Sequence, residues 1–155
     1  VNVLTRFILD RHVFALTEVD AATISPASRH AAERALAYAT KDLSLPSVQI
    51  RWFRQSQPGE PVYVRRAGGV PEGVVNGERP TEIGVREGLG PVKVADVVLH
   101  ESLHVRQFLD GRDGHSPECQ AEAEDYAGNL VRAGVAKSIA DAATADAANE
   151  QRSTT

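Results

Sequence analysis

His100, Glu101 and His104 stand together in the stretch VVLHESLHVRQFLD, residues 97 to 110. On a helix, residues four apart share one face and lie about 6 Å apart along the axis. Two imidazoles so placed can reach one Zn²⁺ through bonds of roughly 2.0–2.1 Å. Glu101 follows the first histidine, beside such an ion and not on it. There it can serve as general base, taking a proton from a zinc-activated water and passing it to a leaving amine. Val97, Val98, Leu99, Leu103, Val105 and Phe108 make the stretch largely apolar, and a histidine buried in it needs a partner. The plain alternative is two histidines hydrogen-bonded at the edge of a core. Two imidazoles do not complete a catalytic zinc site, so a third ligand is expected elsewhere.

The histidines need a helix, and the pattern predicts one from Pro91 to Leu109, broken by DGRDG. Ser116 and Pro117 form a cap-plus-proline start for a second helix, continued by Ala121, Ala127, Leu130 and Val131. Upstream, Ser25 and Pro26 open another helix with Ala32, Leu36, Ala39 and Leu43 at helical spacing, closed by Pro46. Between them, VQIRWF and VYVRR (from Val62) read as strands. Residues 74–75 and 81–85 are expected to pair as a wide hairpin about Asn76-Gly77, with Pro80 in the turn. The first twenty residues fit a hairpin or a helix equally. The order predicts an α+β fold: an N-terminal helix, a small mixed sheet, an active-site helix and a glutamate-bearing helix. One domain is expected over residues 1–136, followed by an alanine-rich tail, 137–155, that frays into disorder.

The VVLHESLHVRQF segment follows a glycine-flanked strand and precedes a turn and an acidic helix. In this it resembles the zincin metallopeptidases, and is most similar to the gluzincin branch. The HExxHVxQ form is also similar to small peptidase-like domains of bacterial toxins and contractile injection systems. The resemblance implies a zincin-like fold with Zn²⁺ held by His100 and His104, Glu101 as general base, and a glutamate of the next helix as third ligand. Counting residues outward from the turn near Asp113 puts Glu122 level with His104 in an antiparallel helix pair. Glu118 is the alternative on that helix. Asp110 is a third candidate, similar to the aspartate of zincins that turn the chain with a glycine; here that position is Gln107.

Around this core, Gln107 shares the histidine face and is a candidate supporting group. Asp125 or Asn129 could accept the second N–H of a ligand imidazole. Peptide hydrolysis needs an oxyanion stabiliser, for which His115, Tyr126 and Tyr63 are candidates. In zincins an edge strand beside the active helix pairs with an extended substrate. Residues 81–87, with Gly84 and the charges Glu82, Arg86 and Glu87, are expected to fill that role for a protein or peptide. His12 and His30 read as surface or cap residues, and Cys119 as a small buried one.

Composition narrows the classes. A net charge of −4 gives no argument for nucleic acid or an anionic membrane, and neither partner is expected. One cysteine excludes an internal disulfide framework and a cysteine zinc cluster. The chain has no apolar run long enough for a membrane span and no signal-peptide pattern at its start. A bacterial protein, cytoplasmic or exported, is expected; its oligomeric state is open. The sequence therefore supports a zinc-dependent metalloendopeptidase first. A zincin-fold binding or assembly module without catalysis, and an effector domain cut from a longer toxin, are the alternatives.

Overall fold

The computed structural model describes residues 3–9, 12–55 and 71–153. The predicted strand from Val62, and Tyr63 with it, lies outside them. The elements run β1 (Val3–Leu9), β2 (His12–Val19), a short 3₁₀ turn, α1 (Pro26–Leu43), β3 (Gln49–Gln55), β4 (Gly73–Asn76) and β5 (Arg79–Arg86). Three helices follow: α2 (Pro91–Leu109), α3 (Pro117–Arg132) and α4 (Val135–Ser153). The fold is α+β.

The strands form one sheet in the order β1-β2-β3-β5-β4. The first segment is a hairpin, with β1 and β2 antiparallel, which settles the ambiguity of the N-terminal residues. Strand β3 pairs antiparallel with β2 and parallel with β5, and β4 closes the other edge antiparallel to β5. The β4–β5 turn is tighter than expected. Asn76 faces Arg79 in register, and its side chain accepts a hydrogen bond from the Glu78 N–H at 3.0 Å. Pro80 consequently lies inside β5 and not in the turn, next to the register shift at Asn76. A proline supplies no donor to the ladder, and a shift near the strand's start is where that costs least.

Helix α2 packs on β4 and β5, and α1, α3 and α4 pack against α2. The helix starts follow the sequence. Ser25 and Ser116 cap α1 and α3, accepting from the Ser28 and Cys119 N–H groups, with proline next in each case. Helix α1 ends before Pro46: Ser44 takes the left-handed conformation at φ 52°. Arg106 of α2 then donates to the Leu43 and Ser44 carbonyls, which ties the end of α1 to the histidine helix.

The alanine-rich segment expected as a fraying tail is ordered helix through Ser153. Ala136, Ala140 and Ala143 are buried against α1 and α2. Arg34 of α1 holds Asp146 through two hydrogen bonds, and His30 meets Glu150 at 2.6 Å. Small residues on both helices, including the fully buried Ala31, Ala35 and Ala39 of α1, let the backbones approach closely. Alanine spacing looks weak as an amphipathic signal in isolation, which is why the sequence under-reads it. Ala143→Asp places an unpaired charge in this seam, and a loss of about 3 kcal/mol or more is expected in urea denaturation. A change below about 0.5 kcal/mol would show that α4 is not part of the folded unit.

Candidate metal centre

His100 and His104 sit one turn apart near the middle of α2, where the helix faces β4. Their Nε2 atoms point at each other, 3.1 Å apart. Two bonds of about 2.0–2.1 Å at a tetrahedral angle hold their nitrogens roughly 3.3 Å apart. The pair is thus set at close to the spacing that a single ion needs. Burial pushes His100 down to about 4, helped by the neighbouring His104, and burial also lowers His104. Both rings are neutral at pH 7, with lone pairs to offer.

Hydrogen bonding fixes which nitrogen of His104 faces the cleft. Its Nδ1 lies 2.8 Å from Gln107 Oε1. The Gln107 amide nitrogen donates to the Cys119 carbonyl at 3.0 Å and to Glu122 Oε2 at 3.2 Å, so its oxygen must be the atom facing His104. His104 therefore carries its proton on Nδ1 and leaves Nε2 free toward His100. Gln107, fully buried, takes the part assigned in sequence to Asp125 or Asn129. Those two face solvent, Asn129 accepting from Arg132.

Glu101 is 7% exposed, and burial raises its carboxyl to about 8. It lines a cleft of about 180 Å³ with His100, His104, His115, Gln120 and β4 residues Gly73, Val74 and Val75. A second hollow on its other side adds Glu72, Lys93 and Asp96. A larger hollow at the N-termini of α1 and α2 holds Glu87 as the one ionisable side chain among its described lining residues and offers no comparable chemistry.

Strand β4 touches the helix because Gly73 has no side chain. A Cβ there would collide with Val97 and come within 2.9 Å of the Glu101 Cγ. Gly73→Ala is expected to push β4 off α2, costing about 1–3 kcal/mol in denaturant unfolding. Unchanged stability would mean that the contact is loose. Lower down, the Phe108 ring fills the space beside Gly77 and Gly114 and meets His115 edge-on at 5.0 Å. His115 Nε2 donates to the Val75 carbonyl at 3.0 Å, joining the α2–α3 loop to β4.

The other expected site residues are elsewhere. Glu122 does not face the histidines: Arg112 holds both its oxygens, at 2.7 and 2.9 Å, which lowers its pKa. Its link to the site is indirect, through Gln107. Glu118 is 82% exposed and lies near Arg112, and Asp110 pairs with Arg106. Tyr126 donates to Asp42 on α1 at 2.8 Å, away from the cleft, with burial and Asp42 both raising its pKa. Strand β5 is not an edge, since β3 and β4 occupy both its sides, so residues 81–86 cannot receive an extended partner. The edge beside the histidines is β4. Cys119 is buried, as expected.

The residue of α3 that does reach the site is Gln120, which lines the cleft with His100, Glu101 and His104. Residues two apart on a helix point about 160° apart, so Gln120 and Glu122 do not both enter the histidine cleft. Cys119, Ala123 and Ala127 mark the buried stripe, and Gln120 lies nearer its centre than Glu122. Among the described residues, no three His, Cys, Asp or Glu side chains gather closely enough to hold a metal ion. The donor set fits two bonds to zinc, with the tautomer and the neutral state that such bonds require. Among the described residues no helix is long and apolar enough to cross a membrane. No family model, curated protein or solved structure matches the chain.

Proposed function

We propose that the chain is a zinc-dependent metalloendopeptidase of the zincin kind, with His100 and His104 as ligands and Glu101 as general base. The observation that carries this reading is the convergence of two neutral Nε2 atoms at 3.1 Å, beside a buried carboxyl that no described residue pairs with an opposite charge. A structural histidine pair has no use for that carboxyl, which burial makes expensive. Zinc, when bound, would act as a Lewis acid on the scissile carbonyl and make a neighbouring water more acidic. Glu101 acts from its ionised form, which the charge of a bound zinc would favour: it takes the proton from a water in the cleft and delivers it to the departing amine. Gln107 keeps the His104 ring in register. His115 has Nε2 committed to Val75, so its Nδ1 can donate to a substrate oxyanion only in the protonated ring. An extended peptide would add to the side of β4 that no described strand occupies, alongside the histidines.

One observation favours a second reading, a zincin-fold binding module. Glu122, Glu118 and Asp110 all turn from the histidines, and a neutral amide stands where a carboxylate ligand was expected. The deciding experiment is elemental analysis with unfolded casein as substrate. About one zinc per chain, with cleavage lost in a chelator and restored by zinc, supports the peptidase. Stoichiometric zinc without cleavage favours the module, and no zinc after supplementation overturns both metal readings.

A further inference from the structure

The open question at the centre is what completes the metal's protein ligands, and the α2–α3 packing singles out one side chain. We propose that Gln120 is the third protein ligand, giving through its amide oxygen an uncharged His–His–Gln set in place of the glutamate expected from sequence. This rests on the metallopeptidase reading of the His100–His104 pair.

Four observations converge on Gln120. Its side chain lines the same cleft as His100, Glu101 and His104. The acidic alternatives are otherwise engaged: Glu122 by Arg112 on both oxygens, Glu118 by exposure, Asp110 by Arg106. His115 has its ring 6.1 Å from that of His104 and spends Nε2 on Val75, and Glu72 and Asp96, in the neighbouring hollow, pair with Lys93. The rotation of α3 that buries Cys119 and Ala123 brings Gln120 to the cleft and turns Glu122 toward Gln107 and Arg112.

The charge of the ligand set has consequences. A carboxylate offsets one of the ion's two charges; an amide offsets none and is the weaker donor to zinc. The wild-type site should hold zinc less tightly than a two-histidine, one-carboxylate site, and leave a more electron-poor metal facing the cleft. The same residue would then set both affinity and acidity of what the ion binds.

The test is competition of Zn²⁺ alone against a chromogenic chelator, using the full chain and the Gln120→Glu, Gln120→Ala and Glu118→Gln variants. Substituted Co²⁺ gives a visible ligand-field spectrum as a second readout. With Gln120 as ligand, Gln120→Glu tightens zinc at least about tenfold and Gln120→Ala weakens it by a similar factor. Glu118→Gln leaves affinity within about threefold, and the Co²⁺ bands shift in both Gln120 variants. The gain in Gln120→Glu cannot come from misfolding. Wild-type zinc binding that is lost on His104→Ala yet indifferent to Gln120, with unchanged Co²⁺ bands, overturns this inference and leaves the metal site standing. Failure of the wild type to bind zinc at all overturns the metal site and the inference together.

Discussion

Glu101→Gln is expected to cut casein cleavage by at least about 10³-fold, toward the upper end of what one general base contributes. The same change should stabilise the zinc-free protein at neutral pH. Burial holds the folded carboxyl near 8, against 4.5 when exposed. A carboxyl with a raised folded pKa gives full stability below 4.5 and loses it as pH rises toward 8, because the unfolded chain ionises first. At about 1.4 kcal/mol per pH unit, the deficit reaches ~3 kcal/mol by pH 7. Glutamine has nearly the same shape and no charge to desolvate. His100 works in the opposite sense: its folded pKa of about 4 makes stability fall as pH drops from 6.5 to 4. Both proteins carry that histidine, so it cancels in their difference. Urea unfolding with a chelator at pH 5, 7 and 8 should therefore show a variant advantage that grows with pH. An advantage independent of pH would refute the buried-carboxylate account. Stability lost for the sake of a poised base is the signature of a functional site.

The second large effect is expected at Gln107, which orients the site without facing it. Gln107→Leu leaves His104 Nδ1–H without its acceptor in buried surroundings, while the Cys119 carbonyl keeps its bond within α3. A loss of about 1–3 kcal/mol in unfolding free energy follows from one buried donor left unpaired. Zinc affinity should drop about 10–100-fold, because the imidazole loses the partner that fixes its tautomer. Gln107→Glu separates the two consequences. Its carboxylate can still accept from His104 but cannot donate to Cys119, and it faces Glu122. Zinc should be held better than in the leucine variant despite comparable destabilisation. Equal affinities in the two variants would show that Gln107 only packs.

These expectations draw on different depths of the sequence. The helix carrying His100 and His104 was legible to its ends, because Pro91 opens it and apolar periodicity carries it to Leu109. The caps at Ser25 and Ser116 were equally plain, since a hydroxyl followed by proline acts within one turn. The histidine spacing and Glu101 needed nothing beyond that helix, and the structure brings them together in one cleft with His115. What is local in the chain was readable in the chain.

The remaining features depend on how elements rotate and order against one another. Glu122 meets α2 at Gln107 and not at His104, and packing of Cys119 and Ala123 turns Gln120 to the cleft. Strand β5 looks like an edge in sequence because a tight turn precedes it and the active helix follows. Its place inside the sheet comes from parallel pairing with β3, thirty residues upstream, which no local pattern records. Helix α4 is polar and alanine-rich in isolation, and becomes part of the fold because α1 offers an equally small-sided face. The sequence by itself determined the chemistry-bearing triplet and the helix that displays it, since both follow from spacing over one or two turns. Only the tertiary structure decided which residues surround that triplet, since long-range packing fixes helix rotation and strand order.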